Sequence, residues 1–217
     1  MHMEQTEDAM QLSEAEMDIR DAIILGDLTT LQQYLSAGAD VQNFGWRRQL
    51  TPLHLAVEHG HDRLVRALLE ARANTEALDD DELTPLHLGA VSGCEAATQA
   101  LLEARANVDS RDAAVRTPLH LSASEGHIAV VRQLLAANAN KEARDARGNR
   151  ALHSAAEHGK EDVVQLLLEQ GADREAAGWR GRTPLHVAAA NGCDDALRAL
   201  LPNSNLEAEA DRGKTPT

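Results

Sequence analysis

The chain predicts an all-α protein laid out as a solenoid of short repeats, and three observations carry that expectation. Thr51-Pro52-Leu53-His54 returns as Thr84-Pro85-Leu86-His87, Thr117-Pro118-Leu119-His120 and Thr183-Pro184-Leu185-His186, with Arg150-Ala151-Leu152-His153 as a degraded copy, each step being 33 residues. Gly60, Gly93, Gly126, Gly159 and Gly192 keep the same period, as do the Leu-Leu pairs from Leu68-Leu69 to Leu200-Leu201. The composition is 43% hydrophobic and only 2% aromatic, so the core is built from Leu, Ala, Val and Ile, which favours helices over a β-sandwich. Three residue classes locked to one period in this range mean a stacked array.

Each element of the unit has a physical reason. Ser13-Glu14-Ala15-Glu16 reads as a capping box opening the outermost helix, after an acidic tail over 1–12 expected to be disordered. In each later unit Thr is the N-cap, its oxygen accepting from the orphan amides of the first turn, and Pro suits the first helical position. Leu and Ala at helical spacing then form the stripe that neighbouring repeats bury. The glycine after Glu58-His59 and its equivalents ends the short first helix, where a left-handed residue is needed. A second helix is predicted from about Asp62 to Ala71, with Leu64, Val65, Leu68 and Leu69 facing inward.

With its Thr51-Pro52-Leu53-His54-Leu55-Ala56 signature and its period, the chain resembles the ankyrin-repeat family over roughly residues 14–217. The resemblance implies about six helix pairs stacked side by side and joined by β-hairpin-like loops. The implied repeats run approximately 13–45, 46–78, 79–111, 112–144, 145–177 and 178–210, then the start of a further unit, within a repeat domain over 13–217. Ala22, Gly26, Leu35 and Asp40 stand 34 residues before Ala56, Gly60, Leu69 and Asn74, which marks a first repeat without its Thr-Pro-Leu-His start. Members of the family usually end the second helix in Gly, as at Gly38 and Gly171; Arg72, Arg105 and Asn138 depart from this. A left-handed arginine costs on the order of 1 kcal/mol relative to glycine. Arg150-Ala151 removes both cap and proline, so the fifth repeat is expected to be the least well capped.

The formal charge of −14 argues against a nucleic-acid partner or an anionic membrane surface, both of which need clustered Lys and Arg. No apolar run has the length of a membrane span, and the acidic start lacks the pattern of an export signal. His54, His59 and His61, close in sequence, raise the question of a metal or acid–base centre and of a metallohydrolase. Zinc needs three or four convergent ligands, whereas repetition spreads such side chains along a rod. The resemblance makes His54, His87, His120, His153 and His186 structural, and likewise His61 and His127, whose slot also holds Cys94, Lys160 and Cys193. Cys94 and Cys193 are 99 residues, or three repeats, apart, hence roughly 25–30 Å, too far for a disulfide. Two unpaired thiols fit an intracellular compartment, cytoplasm or nucleus. No nucleophile elbow, P-loop or dinucleotide fingerprint is present, and no metal or other cofactor is expected.

In the family, partners bind hairpin tips and the exposed side of the first helices. Carried onto this sequence, that surface comprises Trp46, Arg47, Arg48, Glu58 and His59; then Asp80, Asp81 and Val91; then Arg116 and Glu125. Arg147, Asn149 and His158 follow, and Trp179, Arg180, Arg182 and Asn191 complete it, with small Ala113, Ala114 and Ala146 leaving a shallow middle. Trp and Arg dominate binding hot spots, which singles out Trp46 with Arg47 and Arg48, and Trp179 with Arg180 and Arg182. Two roles stay open for each indole: partner anchor, or cover for a neighbouring hairpin. Asp79-Asp80-Asp81-Glu82 is either a solvated turn or an acidic finger reaching a basic partner. The resemblance thus implies a non-catalytic protein–protein interaction scaffold, working as a monomer on a protein partner. The alternative is a targeting or regulatory domain of a larger enzyme or channel, cut at residue 217, since Lys214-Thr215-Pro216-Thr217 looks like the start of another unit.

Overall fold

The structure, a computed structural model, describes residues 19–38, 40–42 and 49–201. The predicted tail over 1–12, the capping box at Ser13, the Trp46-Arg47-Arg48 tip and the unit suggested at Lys214 lie outside the described residues. The chain divides into two compact units, one up to Ala113 and one from Ala114 onward, each built of three helix pairs.

In the first unit, α1 (residues 19–25) pairs with α2 (Leu28–Ser36), α3 (Pro52–Glu58) with α4 (Asp62–Glu70), and α5 (Pro85–Ser92) with α6 (Glu95–Glu103). First helices pack on first helices, α3 on α5, and second on second, α2 on α4 and α4 on α6. In the second unit, α7 (Pro118–Glu125), α9 (Ala151–Glu157) and α11 (Pro184–Asn191) form one layer, with α8 (Ile128–Ala136), α10 (Glu161–Glu169) and α12 (Asp194–Leu200) the other. No strand occurs among the described residues; the loops at 79–83, 145–149 and 178–182 are closed by main-chain bonds from Asp79 N to Leu83 O at 3.0 Å, Asp145 N to Asn149 O at 2.9 Å and Gly178 N to Arg182 O at 2.9 Å.

The buried stripe is the predicted one. Leu53, Leu64, Leu68, Leu86 and Leu101 are enclosed in the first unit, and Leu119, Leu134, Leu152 and Leu167 in the second. Each such side chain contributes about 1.5–3 kcal/mol by leaving water. Leu69 differs from expectation in being only half-buried. Four second helices, α4, α6, α10 and α12, rely on charge rather than a side-chain cap: Asp62, Glu95, Glu161 with Asp162, and Asp194 with Asp195 sit in first turns, where the helix dipole favours carboxylates, whereas α2 is capped by Asp27, which accepts the Thr29 and Thr30 amides.

Histidine makes the first-helix cap reciprocal. Thr51 accepts from the His54 amide, and His54 Nδ1 accepts from the Thr51 amide at 3.2 Å. Because Nδ1 accepts, the proton of the neutral ring sits on Nε2, which donates to the Leu83 carbonyl at 3.0 Å in the next loop. His120 repeats this with the Asn149 carbonyl at 3.2 Å and His153 with that of Arg182 at 3.1 Å. The same device explains why α9 starts cleanly without Thr or Pro: the Arg150 amide still donates to His153 Nδ1 at 3.2 Å. The Arg150 side chain, 14% exposed, turns instead to Glu142 at 3.0 Å and Asp173 at 3.1 Å. The fifth repeat, expected to be the least well capped, has lost the Thr acceptor and gained an ion-pair bridge.

Arg72, Arg105 and Asn138 do take the left-handed conformation, with φ of 60°, 64° and 64°. A second column of positive φ was not anticipated: Gln49, Glu82 and Val115 occupy the hairpin position held by Gly148 and Gly181, and Val115 has φ 61°. For a β-branched residue that conformation is strained.

Candidate functional site

Hairpin geometry begins with a half-buried aspartate. Asp145 Oδ1 accepts the amides of Arg147 at 2.9 Å and Asn149 at 2.8 Å, which folds the loop and turns the Arg147 side chain outward. The neighbouring tip is tied on through Ala146 N to Ala114 O at 3.0 Å. Between these tips and the ends of α7 and α9 lies a groove of about 370 Å³. Ala114, Ala146, Ser124 and Ser154 leave its middle shallow, and Arg116, Arg147 and Asn149 stand on the hairpin side. Glu125, Glu157 and His158 line the side formed by the helix ends. Five of the residues nominated from sequence, Arg116, Glu125, Arg147, Asn149 and His158, therefore line one groove, with Arg116 and Arg147 beside Asp145 on the hairpin side and Glu125 and Glu157 on the other.

His120 at the groove floor has Nδ1 against Thr117 and Nε2 on the Asn149 carbonyl, so both nitrogens are committed to the scaffold. His158 donates from Nδ1 to the Ser154 carbonyl at 2.9 Å. Asn149 is more structural than expected, since its side-chain oxygen accepts the Trp179 amide at 2.9 Å.

That bond fixes the next tip, Trp179–Gly181, a tight turn in which Arg180 takes the left-handed conformation with φ 56°. The indole is 43% exposed. The Arg180 guanidinium carbon lies 4.2 Å from its ring centroid and that of Arg182 5.7 Å away, both within cation–π range. Asn191, exposed at the end of α11, bends back to the Val187 carbonyl at 2.9 Å.

In the first unit the nominated residues occupy separate positions. Glu58 and His59 end α3, and the His59 ring stacks on His61 at 6.0 Å. His61 donates to the Ile24 carbonyl at 3.0 Å, a scaffold role. Asp80 and Asp81 project at a hairpin tip, and Val91 is 40% exposed on α5. The acidic run is split by burial: Asp79, 4% exposed, accepts the Asp81 and Leu83 amides, so it folds the loop and is no part of any finger. His54 is fully buried while His59 faces solvent, which separates the histidine trio. No group of three or more His, Cys, Asp or Glu among the described residues is arranged to hold a metal. Cys94 and Cys193 are free thiols in the slot His61 fills, against Gly60 and Gly159 respectively.

One set of joints escaped the sequence reading. Gln42 accepts the Asn74 amide at 2.8 Å, Glu76 that of Asn107 at 2.9 Å and Glu142 that of Asp173 at 3.1 Å. Each links one repeat's loop to the next. Its signal was present, because an Asn or Asp stands two residues before an acid or amide in Asp40/Gln42, Asn74/Glu76, Asn107/Asp109, Asn140/Glu142 and Asp173/Glu175.

Comparison with known families gives matches along almost the whole described chain. A family model of ankyrin repeats in three copies matches residues 19–112 and 110–178, and a single ankyrin-repeat model matches 180–211. No curated protein matches the chain.

Proposed function

The chain belongs to the ankyrin-repeat family, and on that premise we propose that it is a non-catalytic scaffold holding a protein partner in the groove of its second unit. Ankyrin repeats are in general protein–protein interaction modules. The observation that carries the reading is the convergence of Arg116, Glu125, Arg147, Asn149 and His158 on one groove. Three features support a binding role. The tips are held by main-chain and Asn149 bonds, so little ordering entropy is lost on docking. The walls carry opposite charge, which sets the orientation of a partner. An exposed Trp flanked by Arg adjoins them, the residue types of hot spots. Two free thiols support a reducing compartment, cytoplasm or nucleus. No helix among the described residues is long and apolar enough to cross a membrane.

The test starts from a partner captured by the full chain and then purified. Arg116→Glu with Arg147→Glu is expected to weaken its affinity at least tenfold, about 1.4 kcal/mol. Gln165→Ala, exposed on α10, serves as the distant control. Equal affinities for the double variant and the control would remove the groove from the interface.

A further inference from the structure

The sixth hairpin differs from the others in where its charge goes. Asp79, Asp112 and Asp145 stand at the start of the preceding hairpins, and Gly178 occupies that position here. A Cβ at Gly178 would collide with the Asn149 side-chain oxygen and the His153 ring. The bond from Asn149 that pins Trp179 therefore excludes the carboxylate this hairpin would otherwise contain. Trp179 is left exposed with two arginines over its ring, and neither guanidinium donates to a carboxylate among the described residues.

From this arrangement we infer that Trp179, Arg180 and Arg182 form a docking point for an acidic stretch of the partner protein, a deepening that rests on the scaffold reading above. The indole meets each guanidinium by cation–π attraction, at 4.2 and 5.7 Å, which leaves N–H donors for a bidentate carboxylate. The frame is rigid: Trp179 N is held by Asn149 at 2.9 Å, and the Arg182 carbonyl accepts from His153 at 3.1 Å and from Gly178 N at 2.9 Å. In sequence the equivalent hairpins 112–116, 145–149 and 178–182 carry Arg116, Arg147, Arg180 and Arg182 against Asp112 and Asp145. Asp145 already accepts two amides.

The net charge of −14 opposes an acidic partner at long range, and distance decides which effect prevails. Charges beyond about 8 Å are largely screened at physiological salt, whereas a carboxylate on the tip meets the guanidinium directly. Neighbouring repeats are about 8–10 Å apart, and an extended chain advances roughly 3.3 Å per residue. Acidic residues spaced about three apart thus reach consecutive tips.

The experiment selects a displayed random-peptide library on the full chain and, in parallel, on Arg180→Glu with Arg182→Glu, with circular dichroism confirming that both fold. Peptides from the wild-type chain are expected to be rich in Asp and Glu. Fluorescein-labelled copies should bind Arg180→Ala with Arg182→Ala at least tenfold more weakly, and the charge-reversed chain should select Lys and Arg instead. Selected peptides without an acidic preference, bound equally by the alanine variant but lost in Arg116→Glu with Arg147→Glu, would overturn the carboxylate site and leave the groove reading standing. Recovery of no peptide would also overturn it, because an acidic segment alone is held to suffice.

Discussion

His153 Nε2 stands 3.1 Å from the carbonyl oxygen of Arg182, while its Nδ1 receives the amide of Arg150. One neutral imidazole thus caps its own helix and fastens the next hairpin. Protonation would place a donor where Nδ1 must accept. Burial lowers the pKa of both His54 and His153 below the ordinary histidine value. The unfolded chain therefore takes up protons near about pH 6.5 that the folded chain refuses. The stability these rings confer is complete above that pH and is lost as pH falls toward the folded-state values. Urea midpoints should fall between about pH 7.5 and about pH 5. His153→Gln, which keeps an acceptor at the third helical position, should flatten the dependence, and an identical slope in that variant would count against the mechanism.

The left-handed arginines offer a second measurement. Arg72→Gly and Arg105→Gly should each stabilise the protein by about 1 kcal/mol, because glycine meets no Cβ penalty at φ 60° and 64°. Val115→Gly should gain at least as much, about 1–2 kcal/mol. Asn138→Gly should gain less, since Asn tolerates the region. Chemical denaturation reads all four, and a loss of stability on removing either arginine would show that its side chain holds something more valuable than the strain.

Thr98 is wholly buried in α6, and its hydroxyl finds no hydrogen-bond partner among the described residues. The other complete repeats carry Val65, Val131, Val164 and Leu197 there. Thr98→Val should stabilise by about 1–3 kcal/mol, the cost of a buried unsatisfied group. The opposing glycine fits this picture: a Cβ at Gly89 would stand 3.0 Å from the hydroxyl. Calorimetry that shows a lower Tm for the valine variant would mean the hydroxyl is satisfied by water.

Arg150 bridges Glu142 and Asp173, and Glu142 also accepts the Asp173 amide. Exposed pairs contribute little, but this guanidinium is mostly enclosed. Arg150→Met should cost about 1 kcal/mol at low salt, with the deficit shrinking near 1 M salt as screening length falls to about 3 Å. A deficit that ignores salt would assign the effect to packing of the arginine stem.

The fold was legible because period 33 forced every unit to solve the same packing problem, so Leu53, Leu86, Leu119 and Leu152 predicted one another. The family resemblance points to Arg116, Arg147 and His158, and the fold brings all three to one groove because they recur at neighbouring hairpins and helix ends. Long-range main-chain geometry was not legible. The left-handed state of Val115 has no signal in valine itself, only in Gly148 and Gly181 at the same register. The reason for Gly178 lies in the Asn149 side chain 29 residues earlier. Asp79 looked like part of an acidic run because composition cannot tell a carboxylate that folds its own loop from one that faces water.

The histidine joints end on main-chain oxygens, those of Leu83, Asn149 and Arg182. A leucine, an asparagine and an arginine serve alike, because the acceptor belongs to the peptide unit that all residues share. The residue at that point can be exchanged without loosening the histidine bond beneath it, although Asn149 is also needed for the bond from its side-chain oxygen to the Trp179 amide. At Leu83 and Arg182 the joint is thereby written in the main chain alone, and substitution of the side chain leaves the register between neighbouring repeats intact.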